Sequence, residues 1–178
     1  MNDFTNTPEV TLRGTGIRYG SILGLITIAY FMVMVLAGIN TADGWTRWSG
    51  YIFNAALVVL AQIYYKQNGD GYMTYGQGLS LAFWVALVSS VISTAFTVLY
   101  LTVIDPDFAR MMQDMQMEAM EEQGLSEEQI EQGMKIAAKF TTPPMLFIFG
   151  VLGGIFMTMV IGLVATLFTK KENPNMPE

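Results

Sequence analysis

Four long apolar runs alternate along the chain with short polar turns and one long polar insertion. The runs cover 17–39, 48–65, 77–104 and 143–169. Apolar residues ring each of them on every face, as in a helix surrounded by lipid or by a much larger core. A chain of 178 residues does not supply four such cores in water. About 20 apolar residues at 1.5 Å each match a hydrocarbon layer of about 30 Å. The pattern therefore predicts an all-α, polytopic membrane protein with four transmembrane helices in one membrane domain over 13–171. The third run, Gln77 to Ile104, would extend about 42 Å, so its helix should tilt or protrude.

The edges of the runs fit this reading. Arg13 and Arg18 flank the first run. It is longer than the apolar region of a signal peptide, about 7–15 residues, and Leu36-Ala37-Gly38 makes a poor cleavage site. The second run opens with Trp45, Trp48 and Tyr51 and closes with Tyr64, Tyr65 and Lys66, the aromatic belts of a membrane interface. The fourth closes at Lys170-Lys171. Residues 40–47 read as a polar turn, and 1–12 and 172–178 as disordered tails.

The insertion, 105–142, differs in kind. Asp105-Pro106-Asp107 starts a helix, with Asp as N-cap, Pro at the first position and an acid in the first turn. Phe108, Met111, Met112, Met115 and Ala119 recur at helical spacing, and Gly124 serves as C-cap. Ser126-Glu127-Glu128-Gln129 spells a capping box, followed by the stripe Ile130, Met134, Ala137 and Ala138. Thr142 before Pro143-Pro144 restarts the chain as the last helix. The expectation is an acidic helical hairpin outside the bilayer, between the third and fourth spans.

Lipid provides no hydrophobic drive between helices, so small residues and polar contacts must hold them together. The fourth run carries Gly150, Gly154, Thr158, Gly162 and Thr166, a small residue every four positions. The first carries Gly16, Gly20 and Gly24, and the third Ala82, Ala86, Ser90 and Thr94. Gly20, Gly24, Gly150, Gly154 and Gly162 are the candidate packing positions. The plain reading is contact within one bundle; the sharper one is a homo-oligomer through the glycine row of the fourth run.

Composition narrows the chemistry. The chain is 52% hydrophobic and 13% charged, with net charge −6 and neither histidine nor cysteine. That removes the commonest general base, the commonest metal ligand and the thiolate nucleophile. No basic face suits nucleic acid. From Tyr19 to Ile39 and in the other three runs there is no ionisable group besides tyrosine, which disfavours proton-coupled transport and, with the missing nucleophiles, an enzyme. Asn54, Gln62 and the third run's Ser and Thr residues could line a narrow polar path, but such residues more often bond between helices. Met111, Met112, Met115, Met117 and Met120 are soft thioether donors, yet methionine is also an adaptable packing residue. Asp114, Glu118, Glu121 and Glu122 share a helical face without the turning loop of a calcium site. No metal and no cofactor is expected. These four acids are instead the candidate partner-binding residues.

The ordered motifs resemble a known family. Tyr19-Gly20-Ser21-Ile22-Leu23-Gly24-Leu25, Gly71-Tyr72-Met73-Thr74-Tyr75-Gly76-Gln77-Gly78 and Ile104-Asp105-Pro106-Asp107-Phe108 carry the likeness. The segment from Glu121 to Glu131 and the Pro143 entry to the last run complete it. The chain is similar over about 15–171 to the Bacteroidota-type membrane proteins grouped as domain of unknown function family 4199. Gly78 departs from the alanine more usual there. The resemblance implies a bacterial inner-membrane protein with this layout and no catalytic or binding residues.

Four spans would leave both termini on the side of Arg13, Arg18, Lys66, Lys170 and Lys171, opposite Arg47, Arg110, Lys135 and Lys139. The positive-inside rule then favours cytoplasmic termini and an external hairpin. The leading expectation is a non-enzymatic component that meets a protein partner through 107–139. The alternative is a small pore or carrier for a neutral or hydrophobic solute.

Overall fold

Four of the described helices begin where a side chain captures backbone N–H groups that the first turn cannot use. The computed structural model describes residues 10–39 and 44–174. Helix α1, Leu12–Leu36, starts on Thr11, whose Oγ1 accepts from the Gly14 N–H at 3.0 Å. It ends at Gly38, φ 65°, where the Gly38 and Ile39 N–H groups reach back to Val35 and Met34 carbonyls. The helix thus spans earlier residues than the 17–39 expected, because its two caps lie at 11 and 38. Most of the expected tails, at 1–9 and 175–178, and residues 40–43 of the expected turn lie outside the described residues. Residues 44–47 belong to α2, Gly44–Asn68.

Helix α3, Tyr75–Leu99, opens with a capping box that pattern reading overlooked. Thr74 Oγ1 accepts from the Gln77 N–H, and Gln77 Oε1 accepts from the Thr74 N–H. It runs on through a π-helical turn, Tyr100–Ile104, closed by the Asp105 N–H on the Tyr100 carbonyl. Asp105 then caps α4, Pro106–Glu122, accepting from the Phe108 N–H at 3.0 Å. Gly124, at φ 76°, ends α4. The expected box of Ser126 and Gln129 starts α5, Glu127–Phe140. Helix α6, Pro143–Thr169, follows, although Thr142 makes no side-chain cap bond.

Close approaches set the helix directions. Gly16, Gly20 and Gly24 face Trp84, Val88 and Ile92, so α1 and α3 run parallel. Gly150, Gly154 and Gly162 face Thr94, Ser90 and Ala82, so α6 runs antiparallel to α3. Helix α2 runs parallel to α6, with Asn54 on Thr158 and Gln62 on Thr166. A two-residue bridge, Met73 with Lys171, ties the start of α3 to the end of α6.

Burial differs from that of a protein in water. The interior mixes apolar side chains, Leu23, Val58, Leu81 and Val85, with small and polar ones: Ala61, Gln62, Ala82, Ala86 and Thr166 are fully buried. Large apolar side chains face out, among them Leu36 at 80%, Phe156 at 67% and Phe168 at 84% exposed. Three helical stretches, Leu12–Leu36, Tyr75–Ile104 and Pro143–Thr169, are long and apolar enough to cross a membrane. Helix α2 matches them in length, but Asn54, Gln62 and its interfacial aromatics dilute its apolar character.

Candidate functional site

The structure puts the five candidate packing glycines between helices of the same chain. A Cβ at Gly20 would stand 2.9 Å from the Val85 carbonyl oxygen, and one at Gly24 2.9 Å from Ile92 Cβ. A Cβ at Gly150 would meet Thr94 at 2.6 Å, one at Gly162 Ala82 at 2.5 Å, and one at Gly154 would collide with Ser90. The glycine row of α6 is therefore already occupied by α3.

A polar node joins α2 to its neighbours. Gln62 is fully buried. Its Nε2 donates to Thr166 Oγ1 at 2.8 Å and to the Gly78 carbonyl at 3.2 Å, while its Oε1 accepts from Thr169 Oγ1 at 2.6 Å. Lys66 Nζ donates to the Thr169 carbonyl. Two turns away, Asn54 Nδ2 donates to Thr158 Oγ1 at 2.8 Å, and its Oδ1 is buried without a partner among the described residues. The sequence singled out Asn54 and Gln62; their α6 partners were hidden among threonines that read only as small. Three α3 hydroxyls bond within their own helix: Ser89 donates to Ala86, Ser93 to Ser89, and Thr97 to Ser93.

At the end of the bundle where these helices begin or finish, cations lie on aromatic rings. Arg18 sits 5.0 Å from the Tyr64 ring and also donates to its hydroxyl, Arg13 lies 5.2 Å from Trp84, and Lys171 5.2 Å from Tyr72.

At the opposite end, α4 and α5 form an arm. Nine of the chain's fifteen acids and three of its nine bases lie between Asp105 and Lys139, so this segment alone carries a charge of −6. Phe108, Tyr100, Phe31 and Phe96 form an edge-packed aromatic cluster that roots α4 in the bundle, with Phe31 and Tyr100 at 5.3 Å. Phe140 packs on Phe149 at 5.6 Å and roots α5. Ile130 is the arm's one buried residue among the two helices, and Met120 packs over Gly133. The four candidate acids, Asp114, Glu118, Glu121 and Glu122, stand exposed on α4, and among the described residues their carboxylates make no ion pair or hydrogen bond. Part of the apolar stripe stays uncovered: Met111 is 48% and Met112 40% exposed, where the spacing suggested a packed face. Met117 lies well around the helix from Met112, so the five methionines do not share one face. Among the described residues no three His, Cys, Asp or Glu side chains gather as metal ligands would.

A family model matches residues 18–171, nearly the whole of the bundle and its arm. The chain belongs to the family described as Protein of unknown function (DUF4199). Every element that shapes this DUF4199 chain, from the glycine face of α1 to the Met73–Lys171 bridge, lies within or next to the matched range. No curated protein and no solved structure matches the chain.

Proposed function

We infer that this DUF4199 protein is a multi-pass component of a bacterial inner membrane, non-enzymatic, that meets a basic protein partner through the α4–α5 arm. The carrying observation is the arm itself: it holds the chain's whole net charge, and its acids Asp114, Glu118, Glu121 and Glu122 stand beside uncovered Met111 and Met112. An apolar strip edged by one sign of charge is the surface that a complementary helix or groove recognises.

Helix α2 is the fourth span in this reading. Its 25 residues reach about 37 Å. The polar groups that weaken its apolar character turn inward onto α6 and α3, while Ile52, Phe53 and Leu60 face outward. The termini are then cytoplasmic, beside Arg13, Arg18, Lys66 and Lys171, and the arm is external. A second copy of the chain would have to use a face other than the glycine row of α6. A solute path is the weaker reading, because the hydroxyls of Ser89, Ser93 and Thr97 already bond to their own helix.

A photo-crosslinking residue at Glu118, compared with one at Phe168, tests the arm in intact membranes. The expected result is one discrete protein adduct from position 118. It should disappear when Asp114, Glu121 and Glu122 become lysine, and fade as salt rises. Equal adducts from both positions, or an adduct indifferent to charge reversal, would overturn the assignment.

A further inference from the structure

Between α1, α3 and α6, at the arm's end of the bundle, lies a half-open cavity of about 400 Å³. That volume falls within the range of about 300–1,000 Å³ common to small-molecule sites. Its walls carry no charge, and they belong to the three stretches apolar enough to cross a membrane. Four hydroxyls line it, and three are committed: Thr27 donates to the Leu23 carbonyl at 2.9 Å, Ser93 to Ser89 at 2.8 Å and Thr97 to Ser93 at 3.0 Å, while the fourth, Thr94, packs against Gly150. What faces the space is mainly methyl, aliphatic and ring carbon. Water held there would find few partners, and an unfilled space would forfeit dispersion contacts along its whole lining.

We propose that this cavity is a binding site for one acyl chain of a membrane phospholipid. A flexible, uncharged hydrocarbon matches walls that offer no charge and, beside the Thr94 hydroxyl, only committed hydroxyls and carbon, and the surrounding bilayer supplies it. The site also meets both roots of the arm. Phe31 lines it and packs on Phe108 at 6.1 Å; Phe149 lines it and packs on Phe140. An acyl chain inserted between those two rings would brace both feet of α4–α5. The proposal is independent of whether the arm has a protein partner.

The test uses the full chain in liposomes that contain phosphatidylethanolamine with a diazirine in one acyl chain, with labelled positions resolved to single residues. Inward Ser93 and Thr97 should be labelled as well as outward Phe168. Thr97→Phe, which fills the cavity, should cut the inward labels by about tenfold, equivalent to about 1.4 kcal/mol of binding, and leave Phe168 unchanged. Ile28→Phe fills the same space from α1 and replaces that variant should it lose its monodisperse profile in detergent. Labels confined to outward residues, or inward labels that survive filling, would overturn the proposal.

Discussion

At the scale of single residues, contacts that hold this bundle are short-range and depend on what is missing. Gly20→Val would drive a side chain into the Val85 backbone, which cannot rotate away. Overpacking of this kind costs about 1–3 kcal/mol, so thermal unfolding in detergent should come several degrees lower. Gly153→Ala is the control: no atom lies within 4 Å of its would-be Cβ, and a helical Gly→Ala change should stabilise by about 0.5–1 kcal/mol. The sequence showed which glycines lie on a helical row, but not which neighbour fills the row. Gly153 differs from Gly154 only by the rotation of α6 against α3. Gln62→Leu should cost about 1–2 kcal/mol by the same assay, since it removes the side-chain bonds from α2 to Thr166, Thr169 and the Gly78 carbonyl, although Thr169 keeps its bond to the Ala165 carbonyl. The pairing itself was illegible, because Thr166 and Thr169 lie more than a hundred positions from Gln62 and carry no distinguishing pattern.

At the scale of elements, local chemistry was readable wherever a cap was spelled out. Asp105-Pro106, Gly124 and Ser126–Gln129 set the ends of α4 and α5 as their residue types require. The same rules, applied to Thr11, Gly38 and the Thr74–Gln77 box, would have placed the ends of α1 and α3; hydrophobic length alone misplaced them by a few residues. Gly124 closes α4 through two back-turned bonds, from its own N–H to Glu121 and from Leu125 to Met120. Gly124→Ala should therefore fray the last turn of α4 at a cost of about 1–2 kcal/mol. Hydrogen exchange should rise at residues 120–125 and stay unchanged in α3 and α6; uniform protection across α4 would contradict this capping. The exposure of Met111 and Met112 was not legible, because spacing reports a stripe and not what covers it.

At the scale of the whole molecule, the charge distribution and the outward-facing apolar side chains belong together. The arm holds the net charge of −6, leaving the bundle and its flanks balanced, with cations stacked on aromatic rings at the other end. Helix class and the apolar runs were evident from composition; the sidedness of the interior was not, since it depends on how α1, α2, α3 and α6 rotate about their axes. A cysteine placed at Glu121 in this cysteine-free chain should react with an impermeant maleimide on intact spheroplasts. Reaction only after permeabilisation would reverse the proposed orientation. The central claim is that outward Leu36, Phe156 and Phe168 face hydrocarbon. Its most direct test is extraction of membranes with alkaline carbonate: the protein should remain in the pellet and come into solution only with detergent. Release into the carbonate wash, followed by monodisperse behaviour in plain buffer, would contradict it.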